Sequence, residues 1–200
     1  MFFLGPPSAD QIREFIASQQ ALPFTYPEVG ATLGTIPGGY TFDHNRVKLG
    51  HGRQTYERAI EALRQWRHFD LRWAKIVPEL TAIAAGTTVA MLARHLRFRS
   101  LNACRIVYLI NDESPATENS TAILKWGFAY GTLPDHAECG EERFTIEWHS
   151  ADDSVWYDLL AFSRPKKFHA RVGYPYARFL QKRFARESLR AMKRVVEQVV

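Results

Sequence analysis

From about residue 71 to 162 the hydrophobic pattern of this chain alternates with a period of two, and a long amphipathic helix follows. That period puts successive side chains on opposite faces of a sheet, whereas a helix repeats every 3.6 residues. Val89, Met91 and Ala93 alternate with Ala90, Leu92 and Arg94; Trp126, Phe128 and Tyr130 share one face, as do Phe144, Ile146 and Trp148. The spacing predicts strands near 71–77, 87–95, 102–110, 122–132, 142–149 and 154–162. Asp152-Asp153-Ser154 reads as a hairpin turn and Asp112 to Ser120 as a polar, hairpin-like loop. Parallel strands need crossovers of a dozen or more residues, so short polar connections imply an antiparallel meander.

A further strand is expected at 42–49, where Val47 and Leu49 alternate with Arg46 and Lys48. Residues 53–68 then take the helical period, with Tyr56, Ala59, Ile60, Leu63 and Trp66 on one stripe. The last helix is expected over 176–196. Ala177, Leu180, Phe184, Ser188, Ala191 and Val195 form its apolar stripe, and Arg178, Lys182, Arg186, Arg190 and Arg194 recur along another side. A seven-stranded twisted sheet is too large to be covered by the short helix, so the long one is its natural lid. The fold class is therefore α+β, a curved seven-stranded antiparallel sheet wrapped around a long C-terminal helix. Residues 1–41 form an extension: Ser8 and Gln11 can make a capping box for a helix ending near Gln20. The turn-rich stretch 21–41 carries Phe24, Tyr26 and Tyr40, which suit packing onto the body at 42–200.

Composition narrows the function classes. In 200 residues, 46% hydrophobic and 24% charged, global disorder is excluded. Cys104 and Cys139 do not form a CxxC pair, which points to a reducing compartment. No window approaches the ~20 apolar residues of a membrane span, and the apolar run after Met1 lacks the basic region of a signal peptide. A soluble, cytoplasmic protein is expected. The net charge of +5 is uneven: residues 164–200 hold eleven Lys and Arg against two Glu, a net +9, while residues 1–163 are at −4.

Several strings carry a resemblance. Tyr26-Pro-Glu-Val-Gly-Ala-Thr32, Pro37-Gly-Gly-Tyr40, Leu101-Asn-Ala-Cys-Arg-Ile-Val-Tyr108 and Gly127-Phe-Ala-Tyr-Gly-Thr-Leu-Pro134 come first. They are followed by His136-Ala-Glu-Cys-Gly-Glu-Glu-Arg-Phe144, Trp156-Tyr-Asp-Leu-Leu-Ala-Phe-Ser-Arg-Pro165, Gly173-Tyr-Pro175 and Gln181-Lys-Arg-Phe184. In this order they resemble the DUF1990 (UPF0548) family, and the element order resembles the helix-grip architecture of the START/Bet v 1-like (SRPBCC) superfamily. The resemblance covers nearly the whole chain and implies a ligand cavity between sheet and helix. It implies a family of bacteria and plants, of which a bacterial member is expected here, and it carries no catalytic residues across.

The candidate binding residues are Trp126, Phe128, Tyr130, His136, Glu138, Trp156 and Asp158. If their face lines a cavity, the rings give apolar contact and His136 or Glu138 orients a ligand at the mouth. The competing reading makes the rings ordinary core and the polar run 135–142 a solvated loop. Asp158, on an apolar strand, needs a partner, with Arg94, Arg105 and Arg164 as candidates. It is either a ligand anchor or a structural ion pair. His136 and Cys139 are one loose pair, short of the four ligands of a structural zinc, and Gly34-Thr35-Ile36-Pro37-Gly38-Gly39 lacks the Lys of a phosphate loop. No metal, cofactor or catalytic residue is assigned. The expected partner is a small apolar or amphipathic molecule. The enzyme alternative is a cyclase, hydratase or hydrolase using His136, Glu138, Glu142 or Asp158 as acid or base. Arg178, Lys182, Arg186 and Arg190 allow a weak contact with an anionic membrane surface or another protein. Weak aromatic interleaving there argues against nucleic acid.

Overall fold

The computed structural model describes residues 1–95, 97–112, 122–165 and 174–198. Its strands are β1 (Phe2–Phe3), β2 (Thr41–His51), β3 (Ala74–Val77), β4 (Thr88–Arg94), β5 (Arg99–Asp112), β6 (Ile123–Thr132), β7 (Glu138–His149) and β8 (Ser154–Pro165). Its helices are α1 (Ala9–Gln19), α2 (Arg53–Arg64) and α3 (Tyr174–Glu197). Every pairing is antiparallel, in the order β2-β8-β7-β6-β5-β4-β3, so the meander closes by pairing its first long strand with its last. The expected polar loop at 112–120 lies outside the described residues after Asp112.

Curvature comes from specific irregularities. Register shifts between Lys48 and Gly50 and between Ile106 and Tyr108 bend β2 and β5. At Gly127 a Cβ would sit 2.2 Å from the Phe144 carbonyl oxygen and 2.9 Å from the Thr145 Cα. Both obstacles are backbone of the neighbouring strand, so a side chain there would force β6 and β7 apart. Gly127→Ala is expected to cost about 2 kcal/mol in urea denaturation.

The concave face holds the main core, where Phe69, Phe128, Phe144, Ile146, Tyr157 and Leu159 meet Phe184, Met192 and Val196 of α3. Periodicity carries α2 to residue 68, but the helix stops at Arg64 because Trp66 takes a left-handed conformation (φ 58°). That costs of order 1 kcal/mol. It turns Trp66, His68 and Phe69 into the core, and the Trp66 indole N–H donates to the Thr81 carbonyl at 2.7 Å.

The first forty residues cover the convex face. The capping box at α1 is present, with Gln11 N donating to Ser8 Oγ at 3.2 Å and Ser8 N to Gln11 Oε1 at 2.8 Å. Phe15, Ile12 and Ile16 pack on Ala90, Leu101 and Ala103. Arg105 points outward and caps the end of α1 by donating to the Gln19 and Gln20 carbonyls at 3.0 and 2.6 Å. Only the very start of the extension reaches the concave side: β1 continues the sheet beside β5, pairing Phe2 with Ser100. Among the described residues no helix is long and apolar enough to cross a membrane.

Candidate functional site

The apolar stripe of α3 runs its full length, yet burial is unequal. Phe184, Ala185, Ser188, Ala191, Met192 and Val196 are buried, whereas Ala177, Leu180 and Gln181 are half-buried. The N-terminal half spans a cavity of about 820 Å³ between helix and sheet instead of resting on core. Tyr130, Thr132, Glu142, Leu159 and Ala161 line its sheet side. Two polar contacts clasp the helix over it: Arg178 forms a bidentate pair with Asp43 of β2, one contact at 2.8 Å, and Gln181 donates to Ser163 of β8 at 2.8 Å.

The polar centre of the cavity follows from strand register. Tyr130 lies directly opposite Glu142, both point inward, and the Tyr130 hydroxyl donates to the Glu142 carboxylate at 2.7 Å. Burial pushes the Glu142 carboxyl up to about 7, against the lowering effect of the Tyr130 bond and with a further rise from Asp43. Glu138 is raised too, by burial, although Ser163, Arg178 and Gln181 hold it down. Burial likewise raises the Cys104 thiol, so it stays protonated and inert near neutrality. Asn102 joins the lining and donates to Ser100 Oγ at 3.0 Å.

Of the expected binding residues, Tyr130, His136 and Glu138 line the cavity. His136 accepts the Glu138 N–H at Nδ1, 3.0 Å away. Trp126 and Phe128 face the same way but are core: Arg64 covers the Trp126 ring at 4.9 Å, and Phe128 is wedged between Trp66 and Phe144. Trp156 and Asp158 must be corrected. Tyr157 between them reaches the Ser188 hydroxyl of α3 at 3.0 Å, so alternation turns both neighbours to the convex face. There Asp158 is an ion-paired structural residue, 2.6 Å from His44 Nε2 and 3.2 Å from Arg143 Nη2, with Arg46 at 3.7 Å. Its partners are not Arg94, Arg105 or Arg164. Arg46 also covers the Trp156 ring at 4.6 Å.

Two further side chains are fixed in place by their partners. Cys139 points away from His136, its thiol donating to the Thr25 carbonyl at 2.9 Å on the convex side, so the two do not meet as ligands. Arg178, expected on the cationic outer side, turns inward to Asp43. Beyond the expected binding residues, the site takes in Asn102, Thr132 and the Asp43–Arg178 clasp. Inward parity on β2, β5 and β6 is the signal that finds them.

A curved antiparallel sheet gripping a long helix over an internal cavity defines the helix-grip class, the START/Bet v 1-like fold. Residues 25–191 match the family described as a domain of unknown function, DUF1990. A UPF0548 protein of Dictyostelium discoideum is 32% identical over 98% of this chain and 96% of its own length. A UPF0548 protein of Deinococcus radiodurans is 33% identical over 97% and 98%. The chain belongs to the DUF1990 (UPF0548) family, which these relatives place in eukaryotes as well as bacteria. Among solved structures, hypothetical protein jhp0584 from Helicobacter pylori superposes with a TM-score of 0.49 at 14% identity, over 84% of this chain and 94% of that one.

Proposed function

We propose that the protein binds a small apolar or amphipathic molecule in the cavity beneath α3. The observation that carries this reading is the cavity of about 820 Å³, mostly apolar in its walls, with a few polar groups around Tyr130, Glu142 and Asn102. Apolar burial supplies affinity at roughly 25 cal/mol per Å², and isolated polar groups fix orientation. Displacement of the probe anilinonaphthalene sulfonate, with native mass spectrometry of the purified protein, tests it. Ala161→Trp directs an indole into the cavity and is expected to weaken probe binding about tenfold or more with the melting temperature retained. Unchanged affinity in that variant would sink the reading.

One observation favours a second reading, acid–base chemistry on the bound molecule. Glu142, His136 and Glu138 converge on one cavity, and the Glu142 carboxyl titrates near neutrality, where a general acid or base is most effective. Asp158 drops out of that set. Because the folded-state value of Glu142 lies above that of an exposed Glu, its contribution to stability is fully present below about 4.5 and lost as pH rises through about 7. Above that point the cavity holds an anion. Binding of the anionic probe is therefore expected to fall on the order of tenfold as pH rises through neutrality. In Glu142→Gln the profile is expected to be flat. An identical inflection in both proteins would remove Glu142 from the site.

A further inference from the structure

The cavity opens between α3 and the β4–β5 hairpin, where Phe2, His95, Phe98 and Tyr176 line it. These rings form one continuous patch. Phe2 meets Phe98 edge-on at 5.5 Å, Phe98 stacks on His95 at 4.6 Å, and His95 Nδ1 lies 3.3 Å from the Tyr176 hydroxyl. The patch is open to solvent: Phe2 is 71% exposed, Tyr176 51% and Phe98 40%. Large aromatics left in water at the rim of an apolar cavity mark an interaction surface rather than a packing residue.

Cations border it on both sides. Lys182, Arg186 and Arg190 line the helix side of the mouth, and exposed Arg97 stands beside Phe98 in the hairpin turn. None of the four makes an ion pair among the described residues. The acidic residues of α3 are engaged elsewhere, Glu187 with Arg183 at 2.7 Å and Glu197 with Lys193 at 3.8 Å.

We propose that this rim docks on an anionic lipid bilayer, with Phe2, Phe98 and Tyr176 at headgroup depth and the four cations Arg97, Lys182, Arg186 and Arg190 against lipid phosphates. Exposed rings beside unpaired basic side chains match an interface that is apolar inside and negative at its surface. Docking in this orientation sets the cavity mouth against the bilayer, so an amphipathic molecule passes between the two without crossing water. The surface goes beyond the cavity reading and is tested apart from it, since vesicle binding needs no ligand in the cavity.

Co-sedimentation of the full chain with vesicles of phosphatidylcholine, alone or mixed with phosphatidylglycerol, reads it out. Binding is expected to the mixed vesicles only and to weaken with salt. Each lost cation is worth about fivefold, so Lys182→Glu with Arg186→Glu is expected to lower binding by about 25-fold or more. Phe98→Ser, which leaves the charge unchanged, is expected to lower it about tenfold. Arg13→Glu, half that charge change and on exposed α1 over the convex face, is expected to do nothing. Failure to bind the mixed vesicles at low salt overturns the proposal. So does an Arg13→Glu loss equal to that of the rim pair, or vesicle binding untouched by Phe98→Ser but competed away by duplex DNA.

Discussion

Glu141→Ala is expected to lower the stability of the protein by about 3–5 kcal/mol, the range for breaking a buried charged network from one side. Glu141 is only 2% exposed and faces outward, under the N-terminal segment. It accepts from the Tyr26 hydroxyl at 2.7 Å, from Gly30 N at 2.7 Å, from Thr32 N at 3.0 Å and from the Thr32 hydroxyl. Hydrogen bonds to a charged group contribute about 1.5–3 kcal/mol each, and removing the shared acceptor strands every donor at once. Gly131 makes the contact possible: a Cβ there would lie 2.0 Å from the Tyr26 hydroxyl oxygen. The extension should therefore loosen as a unit. Urea denaturation measures the stability loss, and limited proteolysis of Glu141→Ala should cut within 27–40 before the sheet is touched. A variant that loses less than about 1 kcal/mol would show that the segment is held by apolar packing alone.

Glu141 and Glu142 also show what alternation can and cannot deliver. Period two assigns them to opposite faces without further information. Which face is concave depends on the neighbouring strands, because each must place its large apolar residues against α3. Strand positions, antiparallel order and the gripping helix were therefore legible from pattern alone. The polar run 135–142, read as either a solvated loop or a cavity mouth, divides between the two sides of the sheet: Glu142 joins Tyr130 inside, and Glu141 anchors Tyr26 outside. Trp156 and Asp158 went to the wrong side for the same reason. Their parity was right, but only the Tyr157–Ser188 bond fixes its sign. The end of α2 was hidden differently, since a left-handed Trp66 is a tertiary outcome that no local propensity encodes. Charge was legible as a sum but not as a map. The +9 segment reads as one cationic helix, yet Arg178 closes the cavity from within while Arg186 and Arg190 border its mouth.

His68→Phe is expected to remove an acid weakness built into the core. His68 is fully buried, 4.6 Å from Phe144, 4.8 Å from Phe69 and stacked on Trp66 at 5.6 Å, and neither ring nitrogen has a hydrogen-bond partner among the described residues. A neutral imidazole carries one donor and one acceptor, so burying both unpaired costs about 1–3 kcal/mol even near neutrality. Protonation is worse, and burial pushes the His68 value down to about 3 from an ordinary 6.5. Below 6.5 the unfolded chain takes up a proton that the folded chain refuses until about 3. Stability associated with this site is thus fully present above 6.5 and lost as pH falls through that window, at about 1.4 kcal/mol per unit. Between pH 7 and about 4.5 the wild type should lose about 3 kcal/mol through this residue alone. In His68→Phe, or His68→Leu if the larger ring strains the core, that portion of the loss should vanish. Urea titrations at the two pH values decide it: parallel losses in wild type and both variants would mean that the folded core accommodates the protonated ring, and the account given for His68 would be wrong.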